Sequence, residues 1–82
     1  YENVSEKFDY IISNPPIRAG KKVVHEIIEG AFDHLNKGGS LTIVIQKKQG
    51  APSAKVKMEN VFGNAEIIRK DKGYYILRSE KL

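Results

Sequence analysis

Two hydrophobic periods alternate along this chain, and their alternation predicts its elements. Phe8-Asp9-Tyr10-Ile11-Ile12-Ser13 is short, aromatic and β-branched, so it reads as a strand. It is apolar on both faces towards its end, which predicts a central place in a parallel sheet. Asn14-Pro15-Pro16 stops it, because proline fixes φ and cannot donate to a ladder. From Gly20 to Asn36 the period lengthens: Val23, Val24, Ile27, Ile28, Ala31, Phe32 and Leu35 share one helical stripe, while Lys22, Glu26, Glu29 and Asp33 fall elsewhere. Gly30 is a weak spot inside that helix. Asn36-Lys37-Gly38-Gly39 predicts its end, with glycine as a left-handed cap. Ser40 to Gln46 returns to strand character, the clearest in the chain. Lys47 to Pro52 reads as a polar loop, and Ser53 to Phe62 as a short helix carrying Ala54, Met58, Val61 and Phe62, with Pro52 suited to its first turn. Gly63-Asn64 ends that helix. Ala65 to Arg69 is a strand, Lys70-Asp71-Lys72-Gly73 a turn with glycine where φ must be positive, and Tyr74 to Arg78 the last strand.

The expected order is therefore β-α-β-α-β-β, an α/β fold. Strands alternating with helices imply a parallel sheet with right-handed crossovers, and the short turn between the last two strands implies a terminal antiparallel hairpin. Four strands and two helices make an open layer with one edge exposed, whereas a parallel sheet wants helices on both faces. The chain opens on Tyr1, not Met, within a few residues of a strand. The expectation is a single partial domain over residues 1–82, continued in a longer protein; an edge exposed at Phe8–Ser13 would invite self-association of the isolated piece.

Composition narrows the function classes. The chain is 40% apolar and 29% charged, as ordinary globular proteins are. Its apolar runs fall far short of the roughly 20 residues of a membrane helix, and it does not open on a signal peptide. Cysteine is absent, which excludes disulfides, thiolate metal sites and a cysteine nucleophile, and agrees with a cytoplasmic location. His25 and His34 have no third ligand nearby in sequence, so no metal is expected. A net charge of +4 and a pI of about 9.4 favour a polyanionic partner such as RNA, or simply a lysine-rich surface.

The chemistry falls on Asn14-Pro15-Pro16-Ile17. Ligands of open α/β sheets bind outside the carboxyl ends of the strands, where this loop is expected. An exocyclic amine on a base is a poor nucleophile because its lone pair is delocalised into the ring. Accepting hydrogen bonds from both of its hydrogens localises that pair. The side-chain carbonyl of Asn14 is one acceptor and the backbone carbonyl of Pro15 a second, both stiffened by the prolines. As a bare tripeptide, Asn-Pro-Pro is equally a strand-ending turn.

The segment Asp9 to Ile17 resembles motif IV of the class I methyltransferases that modify amino nitrogens. With Arg18-Ala19-Gly20-Lys21 it is closer still to the "methyltransferase small" group, which includes ribosomal RNA guanine-N2 methyltransferases. Lys37-Gly38-Gly39 also looks like that family's turn. The resemblance covers nearly the whole chain and implies the C-terminal half of a Rossmann-like class I methyltransferase fold. It implies S-adenosyl-L-methionine as methyl donor, with Asn14 and Pro15 orienting the target amine, Asn14 also near the donor, and Pro16 shaping the loop. Ile17 departs from the family's aromatic residue: it can pack on a base but cannot stack as a π system. The glycine-rich donor loop is absent too, since Gly38-Gly39 follows a helix. This piece alone should bind the donor poorly.

Arg18, Lys21 and Lys22 flank the loop and are candidates for RNA phosphates, with Lys47-Lys48 at the same sheet end. Solvated surface explains each of them singly as well. Gln46 and Gln49, near the same rim, are able to hydrogen-bond a base edge but read first as polar loop; His25 reads as partly buried and structural, His34 as surface, and Phe8, Phe32 and Phe62 as core. Of Tyr74 and Tyr75, one should be buried and the other exposed. The leading expectation is methyl transfer to a base amino group, guanine N2 in ribosomal RNA. The alternatives are a protein-glutamine methyltransferase using the same loop logic, and a non-catalytic α/β module binding RNA or protein.

Overall fold

The computed structural model describes residues 7–16 and 19–82. The elements are β1 (Phe8–Ser13), α1 (Lys21–His34), β2 (Leu35–Gln46), a 3₁₀ turn (Lys47–Gln49), α2 (Ala51–Phe62), β3 (Glu66–Asp71) and β4 (Tyr74–Glu80). The order β-α-β-α-β-β is as expected.

The strands form one sheet in the order β1-β2-β4-β3. β1 runs parallel to β2, with Ile11 beside Leu41 and Ser13 beside Ile43. β4 is antiparallel to both β2 and β3 and lies between them. The hairpin is as expected, but the parallel expectation holds only for the β1–β2 pair. Lys72 and Gly73 both have positive φ, 47° and 85°, so the turn is two residues long and β3 runs on to Asp71.

Residue parity divides the sheet into two faces. Leu41, Ile43 and Ile45 of β2 and Leu77 of β4 are completely buried, and form one core with Val24, Ile28 and Ala31 of α1 and Ala51, Ala54, Met58 and Phe62 of α2. Both helices thus cover the same face. Phe32 and Phe62 meet edge to face, with centroids 5.1 Å apart.

Three expectations are corrected. β1 is an edge strand of this sheet, not a central one, and Phe8 is exposed, not core. The helical stripe is narrower than expected, with Val23 exposed and Val24, Ile28 and Ala31 carrying the contact. α1 also ends at His34, before the double glycine, and β2 begins at once at Leu35. The reason is tertiary. Gly38 takes φ 90° inside the β2 segment, and the Gly39 carbonyl accepts the N–H of Lys81 at 2.8 Å. A Cβ on Gly39 would lie 2.9 Å from the carbonyl oxygens of Asn36 and Asp9, so only glycine lets β2 approach β1 this closely. The carbonyls at the end of α1 are satisfied instead by the Lys81 ammonium, which donates to Phe32 O at 2.8 Å and Leu35 O at 3.1 Å.

Candidate active site

Asn14 follows β1 directly, beyond the Ser13–Ile43 pairing, at the carboxyl end of the strand. It is exposed, lies outside any helix, and its side-chain amide makes no hydrogen bond among the described residues. Pro15 is buried and Pro16 exposed. The N–H of Ala19 donates to Pro16 O at 2.8 Å, closing the loop on itself before Gly20 opens α1. Ile17 and Arg18, both candidate substrate contacts, lie outside the described residues.

The carboxyl end of β2 faces this loop. The predicted polar stretch is a 3₁₀ turn braced by two reciprocal bonds between Gln46 and Gln49, each side chain accepting the other's backbone N–H. Gly50 follows at φ 100°, a conformation that favours glycine. α2 then starts at Ala51, two residues earlier than expected, with a proline in its first turn. From that turn the Gln49 amide donates to Pro16 O at 2.7 Å and approaches Pro15 O at 3.4 Å. Gln46 donates in turn to the Tyr74 hydroxyl at 2.9 Å.

Lys21 and Lys22 occupy the first turn of α1, both exposed, where the helix dipole disfavours cations. With His25, Glu26, Glu29 and Lys57 they line a groove of about 550 Å³ beside α2. No hydrogen bond or ion pair joins them to Asn14–Pro16 among the described residues, and the lysines of the expected rim line two separate cavities. The second holds Lys47, Lys48 and Lys72 with Gln46, Gly73 and the half-exposed Tyr74, around a pocket of about 280 Å³. Among the described residues none of these five lysines forms an ion pair. His25 is partly buried, 3.3 Å from the Ser53 hydroxyl. Its pKa is lowered, first by desolvation and then by the charges of Lys57 and Lys21, with Glu29 opposing.

Sequence reasoning put Gln49 in a polar loop and missed its contact with the proline loop. The only sequence cue was two glutamines three apart at a strand end, which is the spacing of a capping box.

The family described as the methyltransferase small domain matches residues 1–78, and the chain belongs to it. YbxB of Bacillus subtilis (strain 168) is 54% identical over 78 residues, covering 95% of this chain and 39% of that protein. Ribosomal RNA small subunit methyltransferase C of Erwinia tasmaniensis is 33% identical over 85 residues, covering 99% of this chain and 24% of that protein. In structure, the chain superposes with a TM-score of 0.86 on the Thermus thermophilus 16S rRNA N2 G1207 methyltransferase RsmC, solved with AdoMet and guanosine. That match covers 98% of this chain and 22% of RsmC, at 21% identity, and bears on the fold. The chain thus spans well under half the length of these relatives. Among the described residues, no helix is long and apolar enough to cross a membrane.

Proposed function

We propose that this chain is the catalytic-loop half of an S-adenosylmethionine-dependent methyltransferase acting on an exocyclic amino group of a base, guanine N2 in ribosomal RNA. The observation that carries this reading is the state of Asn14. Its side-chain amide is exposed and unpartnered at the carboxyl end of β1, directly before a buried proline. A strand-ending turn asparagine ordinarily spends its side chain on nearby backbone. Here the carbonyl is left for a ligand, beside the Pro15 carbonyl. Together these two acceptors can hold both hydrogens of one flat amine and turn its lone pair out of conjugation. S-adenosylmethionine, when bound, supplies the electrophilic methyl group; Asn14 is the residue of this chain suited to face it.

RNA as the substrate is supported by the unpaired lysines. Lys21 and Lys22 stand at the helix end where a cation costs about 0.3–1 kcal/mol, so their placement favours an anionic partner over stability. That the chain is one half of a larger domain is supported by its coverage of 39% of YbxB, and by the exposure of Tyr10 and Ile12 on a sheet face that no helix covers among the described residues.

The test is Asn14→Ala in the full-length protein. Methyl transfer to unmodified ribosomal RNA should fall about 100-fold or more, the scale of losing one preorganised polar contact to the reacting group, while RNA affinity stays within about twofold. Undiminished transfer, or none by the parent protein, would leave an α/β RNA-binding module as the better account.

A further inference from the structure

The loop that orients the amine is not self-supporting. Neither Pro15 nor Pro16 has an N–H, so two consecutive backbone positions offer only carbonyls by which the fold can hold them. One partner is local, the Ala19 N–H on Pro16 O. The other comes from more than thirty residues away. The Gln49 amide nitrogen, with two hydrogens to donate, lies 2.7 Å from Pro16 O and 3.4 Å from Pro15 O. Its oxygen is also engaged, accepting the Gln46 N–H at 3.1 Å, so the side chain is held at both ends and cannot rotate freely. Gln46 is anchored in turn on the Tyr74 hydroxyl of β4. An unbroken hydrogen-bonded line therefore runs from the hairpin, across the tip of β2, to the two prolyl carbonyls.

We infer that Gln49 is a positioning residue for methyl transfer. Its amide sets the direction of the Pro15 carbonyl by holding the carbonyls on both sides of the Pro16 ring, Pro15 O and Pro16 O, from the β2 side. The firm bond goes to Pro16 O and only a glancing one to Pro15 O, which leaves a Pro15 lone pair free for the substrate amine. This rests on the reading of Asn14 and Pro15 as the acceptor pair. Gln49 touches no reacting atom. It acts through the loop, as outer-shell groups act through the ligands they orient.

The test compares Gln49→Glu and Gln49→Met with Asn14→Ala in the full-length protein, using tritiated S-adenosylmethionine and unmodified ribosomal RNA transcribed in vitro. Gln49→Glu keeps the length and the acceptor for Gln46 but replaces the donor with an oxygen that repels both carbonyls. Gln49→Met keeps the length and removes both polar atoms. Rates are normalised to the folded fraction from melting curves, so that instability is not mistaken for misalignment. The expected result is a fall in kcat of about 10- to 100-fold for both variants, the range of outer-shell substitutions, with KM for RNA and for the donor within about twofold. Gln49→Glu should be the worse of the two. If Asn14→Ala abolishes transfer while both Gln49 variants keep the parent kcat, the positioning role is wrong and the acceptor-pair reading stands. A rise in KM for RNA with unchanged kcat would also overturn it, by making Gln49 a substrate contact. If Asn14→Ala itself is fully active, both ideas fail together.

Discussion

The two faces of the sheet are made by the same strands from similar residues, yet their fates are opposite. On one face Leu41, Ile43, Ile45 and Leu77 are sealed beneath α1 and α2. On the other, Tyr10 is 77% and Ile12 75% exposed, beside half-buried Val44 and Ile76. Ile11 and Ile12 show the contrast within one dipeptide: Ile11 packs against the core and Ile12 meets solvent. Among the described residues both helices lie on the first face, and no helix covers the second.

The sharpest way to break this comparison is to truncate one isoleucine on each face. In the 82-residue chain Ile43→Ala should cost about 2–5 kcal/mol, the transfer and cavity terms of a sealed site. Ile12→Ala should stay within about 0.5 kcal/mol, as surface changes do. Urea unfolding measures both. Repeating the pair in the full-length protein sharpens the point, because a second cover would raise the Ile12→Ala cost towards that of Ile43→Ala. Equal costs in the short chain would show that the faces do not differ.

A smaller effect is expected where the open-faced edge strand is held to the sheet. Gly39→Ala would set a methyl 2.9 Å from two backbone oxygens and 3.1 Å from the Leu35 side chain. Backbone cannot swing aside as a side-chain tip can, so the cost should be about 1–3 kcal/mol. β1 should loosen first, and amide hydrogen exchange at Tyr10 to Ser13 should speed up more than exchange in β4.

The smallest effect belongs to the rim of the covered face. The folded-state pKa of His25 is lowered, so the unfolded chain takes up this proton first. Its contribution to stability is complete above the ordinary value of 6.5 and is lost as pH falls below 6.5 towards the folded value. The urea midpoint should therefore drop between pH 7.5 and 5.5, and His25→Gln should flatten that drop.

Much of the fold was legible because it is local. The periods of 2 and 3.6, the hairpin glycine at 73 and the proline stop after Ser13 act within a few residues, and each element appeared within a few residues of its expected place. The misses were long-range. Gly38-Gly39 resembles a helix stop, but those glycines serve a close approach to Asp9 and pairing with Lys81 at the far end of the chain. That β4 inserts between β2 and β3 is a choice among pairings which no short window contains. Phe8 looks like core because it is aromatic, yet it lies on an edge strand. In the site, Asn14, Pro15 and Pro16 were readable as a strand-end loop. Gln49 was not, because its partner lies 33 residues away in sequence.

By itself, then, the amino-acid sequence determined which residues could form strands and helices, and that a loop rich in hydrogen-bond acceptors and poor in donors would end the first strand. Those properties follow from side-chain shape and from the missing prolyl N–H, and need no neighbour. Tertiary structure decided which strand lies beside which, which apolar face is sealed, and that a glutamine from the next strand tip grips the prolyl carbonyls. A hydrogen bond or a buried face exists only once two distant segments meet, and their meeting is set by the packing of the whole sheet rather than by either segment.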